Sequence, residues 1–204
     1  MLGRYEQDNN LSNGEEDIEW IVLKKANGKL LLVSRFALDC QPYHDEVSSN
    51  VPWEDCLLRK WLIEEFYVKA FSDGEKNLII EAKDGRTDFN NFENIEAAEQ
   101  YERTASDYVF VMSKAEVQEL LQGPRGICNW TKYAETQCVQ KTGYNWNISR
   151  FWLRGNAEEY SCFDSAKGRT EEVRIGNYYE SVGKNQVLKG LAVRPVIWIS
   201  VGVD

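Results

Sequence analysis

The chain has 204 residues, 43% apolar and 28% charged, with a formal net charge of −9 at pH 7. That length and apolar share suffice for a full hydrophobic core, so a single domain over 1–204 is expected. The acidic balance argues against a nucleic-acid partner, whose binding is dominated by cation–phosphate contacts. No apolar run reaches the roughly 20 residues that span a bilayer, which argues against membrane insertion.

Residues 1–17 are polar and turn-rich. They lack the basic and apolar regions of a secretory signal, which favours a cytoplasmic protein, with a domain cut from a longer secreted chain as the alternative. Two β-rich runs, 18–23 and 30–33, flank Asn27-Gly28, and a hairpin is expected there because both turn residues accept positive φ. Trp53, Leu57, Leu58, Trp61, Leu62 and Phe66 form an apolar stripe at three- and four-residue spacing, which predicts a helix over 53–66. Pro52 sits at its start, after Ser48-Ser49-Asn50 as capping candidates. Ser72-Asp73-Gly74-Glu75 has capping-box form and predicts a short helix through Leu78 and Ile79.

The acidic stretch 84–107 reads as a solvated excursion. A buried strand is expected over 108–112, running into a second capping box, Ser113-Lys114-Ala115-Glu116, and a helix that ends near Leu121 before Gly123-Pro124. No period holds over 128–149, which reads as an irregular aromatic loop. Short strands are expected at 152–154, 160–165 and 170–175, with a closing strand at 192–200. Strands that do not alternate with crossover helices predict an α+β fold. The strand order further predicts a mixed or antiparallel sheet with paired terminal strands, two main helices and a long irregular aromatic loop region. That arrangement looks C-type-lectin-like.

Several segments are similar to a bacterial domain family of unknown biochemical role that is common in gut-dwelling Firmicutes. They are Tyr5-Glu6-Gln7-Asp8 with Ile18-Glu19-Trp20, Ala37-Leu38-Asp39-Cys40-Gln41-Pro42-Tyr43, the helix segment Trp53-Glu54-Asp55-Cys56-Leu57-Leu58-Arg59-Lys60-Trp61-Leu62, Trp152-Leu153-Arg154 and Val193-Arg194-Pro195. Family members usually read Trp-Leu-Arg-Ser-Pro-Gly and Gly-Val-Arg-Pro-Ala, whereas Gly155-Asn156 follows Arg154 here and Ala192 and Val196 flank the second motif. The closing strand also resembles formylglycine-generating enzymes and retroelement-diversified binding proteins, both lectin-like in fold. That resemblance is analogy and carries no function by itself.

Candidate chemistry is sparse. Five cysteines, Cys40, Cys56, Cys128, Cys138 and Cys162, form no C-x-x-C pair, which reads as free, mostly buried thiols rather than a disulfide framework or a zinc site. His44, the single histidine, has no motif-marked nucleophile to serve. The enzyme alternative is an oxidase of formylglycine-generating type or a peptide hydrolase, with Cys162, Asp164 or His44 involved. Asp8, Asn10, Asn13 and Glu15 place oxygens loosely like a calcium loop but miss the EF-hand pattern, so no metal and no cofactor are expected. Arg194 is expected to pair with a carboxylate and fix loops. Arg154 is read either as structural or as a ligand contact.

Trp130, Tyr133, Tyr144, Trp146, Tyr160, Tyr178 and Tyr179 are interleaved with Asn145, Asn147, Asn156 and Asn177. Tyr and Trp supply stiff contact area with a polar handle, and Asn supplies adaptable hydrogen bonds. Trp146 and Trp152 are assigned to the core. The ligand-binding set is therefore Trp130, Tyr133, Tyr144, Arg154, Asn156, Tyr160, Asn177, Tyr178 and Tyr179. The function expected is non-catalytic recognition of a protein or glycan through the 128–190 surface. The third alternative is a structural or sensory module of a larger bacterial assembly. Asn129-Trp130-Thr131 and Asn147-Ile148-Ser149 matter only in a glycosylating route.

Overall fold

The computed structural model describes residues 2–45, 51–83, 106–142, 150–155, 161–164, 168–172 and 190–202. A small ladder of β1 (Arg4–Tyr5) and β2 (Glu16–Asp17) precedes the expected hairpin of β3 (Trp20–Ala26) and β4 (Lys29–Ser34). Asn27 and Gly28 turn it at φ 50° and 69°, the left-handed region these residues tolerate. β5 (Asp39–Gln41) follows.

The stripe over 53–66 is helical but in pieces. A 3-10 turn (Trp53–Asp55) leads to α1 (Leu57–Trp61), a π-helical turn (Leu62–Phe66) and α2 (Tyr67–Ala70). Leu58, Leu62, Phe66 and Ala70, all buried, recur every fourth residue. That spacing overshoots an α-helical turn by about 0.4 residue each time. The wider π turn absorbs the overshoot and keeps the four on one inward face. The segment is tied down by Asp107, whose carboxylate accepts from Trp53 Nε1 at 2.7 Å and Arg59 Nε at 2.6 Å.

α3 (Asp73–Lys76) opens with the expected Ser72–Glu75 capping box but ends earlier than the sequence predicts. Ile79 instead enters β6 (Ile79–Ile80), where it pairs with Ile199 in the last strand, an environment suited to β-branched side chains. β7 (Ala82–Lys83) pairs with β8 (Ser106–Asp107). Asp107 is fully buried, so the solvated reading of 84–107 fails at that residue, and 84–105 lie outside the described residues. Residues 109–112 are buried as expected, yet they join the sheets through isolated bridges, Phe110 to Val196 and Ser113 to Arg154, rather than as a continuous strand. α4 (Lys114–Leu120) starts at the Ser113–Glu116 capping box, and a 3-10 turn (Gly123–Gly126) follows.

α5 (Lys132–Thr142) occupies part of the stretch read as irregular loop. It shows little apolar period because Ala134 and Cys138 are its buried hydrophobic residues among the described positions. The remaining strands are β9 (Arg150–Leu153), β10 (Ser161–Asp164), β11 (Arg169–Glu172), β12 (Leu191–Val193) and β13 (Val196–Ser200). They complete a mixed sheet ordered β11-β10-β9-β12-β5 and an antiparallel sheet ordered β3-β4-β13-β6. The protein is thus α+β, and the closing strand β13 pairs with β4 of the first hairpin. Gly190 is required just before β12, because at φ +124° a Cβ there would lie 2.7 Å from the Gln41 carbonyl carbon.

Two expectations about single residues are corrected. Cys40 and Cys138 are not free thiols; they form a disulfide with Cα atoms 5.2 Å apart. They are separated by 98 positions, and spacing could not reveal the packing of α5 on β5 that brings them together. Cys56 and Cys128 are buried. Arg194 is structural, but it donates to the backbone carbonyls of Ser34 at 2.9 Å and Arg125 at 3.3 Å rather than to a carboxylate.

Glu75 clasps the N-terminal segment, accepting from Gly3 N–H at 2.7 Å and from Ser72 N–H at 2.8 Å. Burial pushes its carboxyl up, but the Gly3 and Ser72 donors outweigh burial and hold it below its ordinary value of 4.5. A depressed carboxyl stabilises the fold above its unfolded value and loses that contribution as pH falls through the folded one. The stability gap between wild type and Glu75→Gln, measured by urea unfolding, is expected to be constant above pH 5 and to close as pH drops below about 4.5. A gap that persists unchanged at pH 3 would contradict this.

Candidate functional site

Two of the expected recognition residues lie at the N-terminal end of α5. The approach to that helix is fixed by backbone exchange with the 36–38 turn: Ala37 N–H donates to Asn129 O at 3.0 Å and Thr131 N–H to Ala37 O at 3.0 Å. Thr131 then caps the helix, its Oγ1 accepting from Ala134 N–H at 3.1 Å, the geometry expected of a Thr N-cap. This places Trp130 and Tyr133 half-buried beside the core. Trp130 Nε1 is buried with no acceptor among the described residues.

Tyr133 N–H donates to Gln7 O at 3.0 Å, and its ring meets Tyr5 edge-on at 6.0 Å. Burial raises the Tyr133 phenol, and the nearby Asp39 and Glu6 add to the shift. Tyr5 is raised further by burial and by Asp39, to whose carboxylate it donates. Both phenols therefore stay protonated at physiological pH, and Tyr5 acts as a donor to Asp39.

Arg154 sits elsewhere. Its guanidinium donates to Val111 O at 2.6 Å, forms an ion pair with Glu116 and lies 5.2 Å over the Phe110 ring. The Arg154 and Glu116 side chains are 9% and 8% exposed. Glu116 also closes the α4 capping box on Ser113 N–H at 2.8 Å, so Arg154 couples β9 to the start of α4. Arg154 shares no partner with Trp130 or Tyr133 among these contacts. Tyr144, Asn156, Tyr160, Asn177, Tyr178 and Tyr179 lie outside the described residues.

A cleft of about 440 Å³ opens between α4, the 3-10 turn after it and the β10–β11 hairpin. Val117, Leu121 and Phe163 line its apolar base, while Gln118, Gln122 and Thr170 bring carboxamides and a hydroxyl to its walls. Ile127, 60% exposed, stands at its edge. Sequence reasoning did not assemble this site. Its strongest local signal was the Ser113 capping box with the Gly123-Pro124 stop, which fixes the length of α4 but not the facing hairpin.

The other groups of chemical interest are enclosed or already bonded. Carboxylate oxygens of Glu6, Asp8 and Glu16 lie within 4.8 Å of one another, a donor set that oxygen-seeking cations prefer. Each already accepts from its own loop: Glu6 from Asn10 N–H at 3.0 Å, Asp8 from Asn10 N–H and Asn13 Nδ2, and Glu16 from Gln7 N–H at 2.7 Å. The Asn13 and Asn10 donors hold the Asp8 carboxyl below its usual range. Among the described residues, this carboxylate trio is where three acidic, thiol or imidazole groups come that close. Burial pushes the Cys56 thiol up to about 12 and raises Cys128 as well, the opposite of thiolate activation. His44 Nε2 lies 3.2 Å from Asp45.

The profile of one protein family, described as Domain of unknown function (DUF6273), matches residues 27–201. The chain belongs to this family. The matched span starts in the β3–β4 turn and ends just past β13, so Trp130, Tyr133, Arg154 and the whole cleft belong to the DUF6273 domain. No curated protein and no solved structure was found to match the chain. No helix among the described residues is long and apolar enough to cross a membrane.

Removing one partner of a buried ion pair leaves the other uncompensated, at about 3–5 kcal/mol. Arg154→Ala is expected to cost that much in denaturant unfolding. A variant as stable as wild type would instead return Arg154 to the ligand-contact reading.

Proposed function

We propose that this DUF6273 domain is a non-catalytic recognition module of C-type-lectin-like fold that binds a protein or glycan through the 128–190 surface. The observation that carries the reading is the cleft beside the β10–β11 hairpin, where residues 163–170 of that surface face residues 117–127. Its volume of about 440 Å³ falls within the range of roughly 300–1,000 Å³ for ligand sites. Its lining is more polar than that of a typical small-molecule site, with Gln118, Gln122, Arg169 and Thr170 around an apolar base, which suits a polar ligand such as a glycan or peptide. Trp130 and Tyr133 are half-buried rings at the start of α5, which packs on β5 at the other edge of the same sheet, and are proposed as a second contact region. Tyr144, Asn156, Tyr160, Asn177, Tyr178 and Tyr179 are its further proposed contacts, chosen for residue type and sequence proximity. Arg154 joins them as a positioning residue through its ion pair with Glu116. The sealed thiols Cys56 and Cys128 favour binding over thiol chemistry at those two positions.

The test is a glycan and peptide array probed with the purified domain, followed by variants. Thr170→Trp fills the cleft from its wall. It is expected to lose array binding while its Tm moves by less than about 3 °C, the shift of a change near 1 kcal/mol at this chain length. Wild-type binding by Thr170→Trp would remove the cleft from the site.

A further inference from the structure

We propose that the Cys40–Cys138 disulfide is what docks the last two turns of α5 on the sheet, so that the C-terminal part of this helix is held in place only in an oxidising compartment. The argument starts from the composition of α5, Lys-Tyr-Ala-Glu-Thr-Gln-Cys-Val-Gln-Lys-Thr over 132–142. An isolated helix of 11 residues is marginal in water and needs an apolar face to hold it in place. α4 has one, with Val117 and Leu121 buried at its end. In α5 the buried hydrophobic residues among the described positions are Ala134 and Cys138, one turn apart, and Val139 is 38% exposed.

A methyl group and a sulfur atom bury little apolar area. The N-terminal turn has further anchors in the Thr131 cap and the Tyr133 amide bond to Gln7 O. Beyond it, the Cys40–Cys138 bond links the helix covalently to β5. Cys40 and Cys138 are 0% and 4% exposed, so the bond is shielded from solvent reductants in the folded protein. That shielding marks a structural bond rather than a switch, and structural disulfides belong to oxidising compartments.

Closure is ordinary thiol–disulfide exchange. A Cys40 or Cys138 thiolate attacks a donor disulfide, of the class of oxidised glutathione or an oxidised dithiol catalyst, and forms a mixed disulfide. The second thiolate then displaces the donor's remaining thiol. Two protons and two electrons leave the pair, and the donor is reduced to two thiols.

The inference does not depend on the recognition reading, and its test reads helix docking rather than binding. Hydrogen–deuterium exchange is measured on the oxidised protein, on protein unfolded, reduced with a phosphine and refolded in its presence, and on Cys138→Ala, with peptide mapping confirming the 40–138 link in the first. Amides of 136–142 are expected to exchange at least tenfold faster in the second and third samples, with those of β3, β4 and β13 unchanged. Unchanged protection over 136–142 after reduction would show that packing holds the helix, and loss of protection in both sheets together would show a global rather than local role. Either result overturns the proposal. Protein made in a bacterial cytosol is expected to lack the linked peptide and to show the reduced pattern, whereas exported protein carries the link. A full yield of linked peptide from the reducing cytosol would overturn the compartment half.

Discussion

Arg194 stands where the chain leaves one sheet and enters the other, and the arrangement of everything else follows from how it is held. Its guanidinium is 1% exposed and lies 5.4 Å over the Phe151 ring. A buried charge is tolerated only when its donors find acceptors. Here the Ser34 carbonyl at the end of β4 and the Arg125 carbonyl in the 3-10 turn supply them. One planar group with several donors in fixed directions thus ties the antiparallel sheet to the turn that ends the α4 region. Pro195, next in sequence, has no N–H to lose at the break between strands, while its carbonyl still accepts from Ser34 N–H at 2.9 Å.

That crossing fixes the positions of the functional elements. β12 lies between β9, which it meets in parallel, and β5, which it meets antiparallel. β13 lies between β4 and β6. β9 carries Arg154 to the capping box of α4, and β10 carries Phe163 to the floor of the cleft. β5 carries Cys40 to α5. The cleft and the Trp130–Tyr133 region therefore lie at opposite edges of the mixed sheet, with supports drawn from segments far apart in sequence.

Local signals read well from the sequence because local physics decides them. Asn27-Gly28 and the Ser72 and Ser113 capping boxes each depend on a few adjacent residues and formed where expected. Signals that depend on distant partners did not read. Ile79 reads as helical in sequence because its pairing with Ile199 lies 120 positions away. α5 was missed because its inward face is an alanine and a cysteine whose sulfur is bonded across 98 positions. Asp107, in an acidic run, gave no hint that it would be buried between Trp53 and Arg59. For the site, residue type singled out Trp130 and Tyr133, whereas the cleft needed the facing of α4 and the β10–β11 hairpin, which no sequence window contains. Arg154 shows the converse: its place before Gly155-Asn156 singles it out in sequence, but its pairing with Glu116 depends on a residue 38 positions away.

The most direct test of the crossing is amide exchange in Arg194→Met compared with wild type. The substitution keeps an apolar stem and leaves the Ser34 and Arg125 carbonyls without their donors, at about 1–3 kcal/mol for each. Protection is expected to fall together in β9 and β10 of the mixed sheet and in β4 and β13 of the antiparallel one. Wild-type protection retained in either sheet would mean that the two sheets stand independently of the arginine, and the account built on it would be wrong.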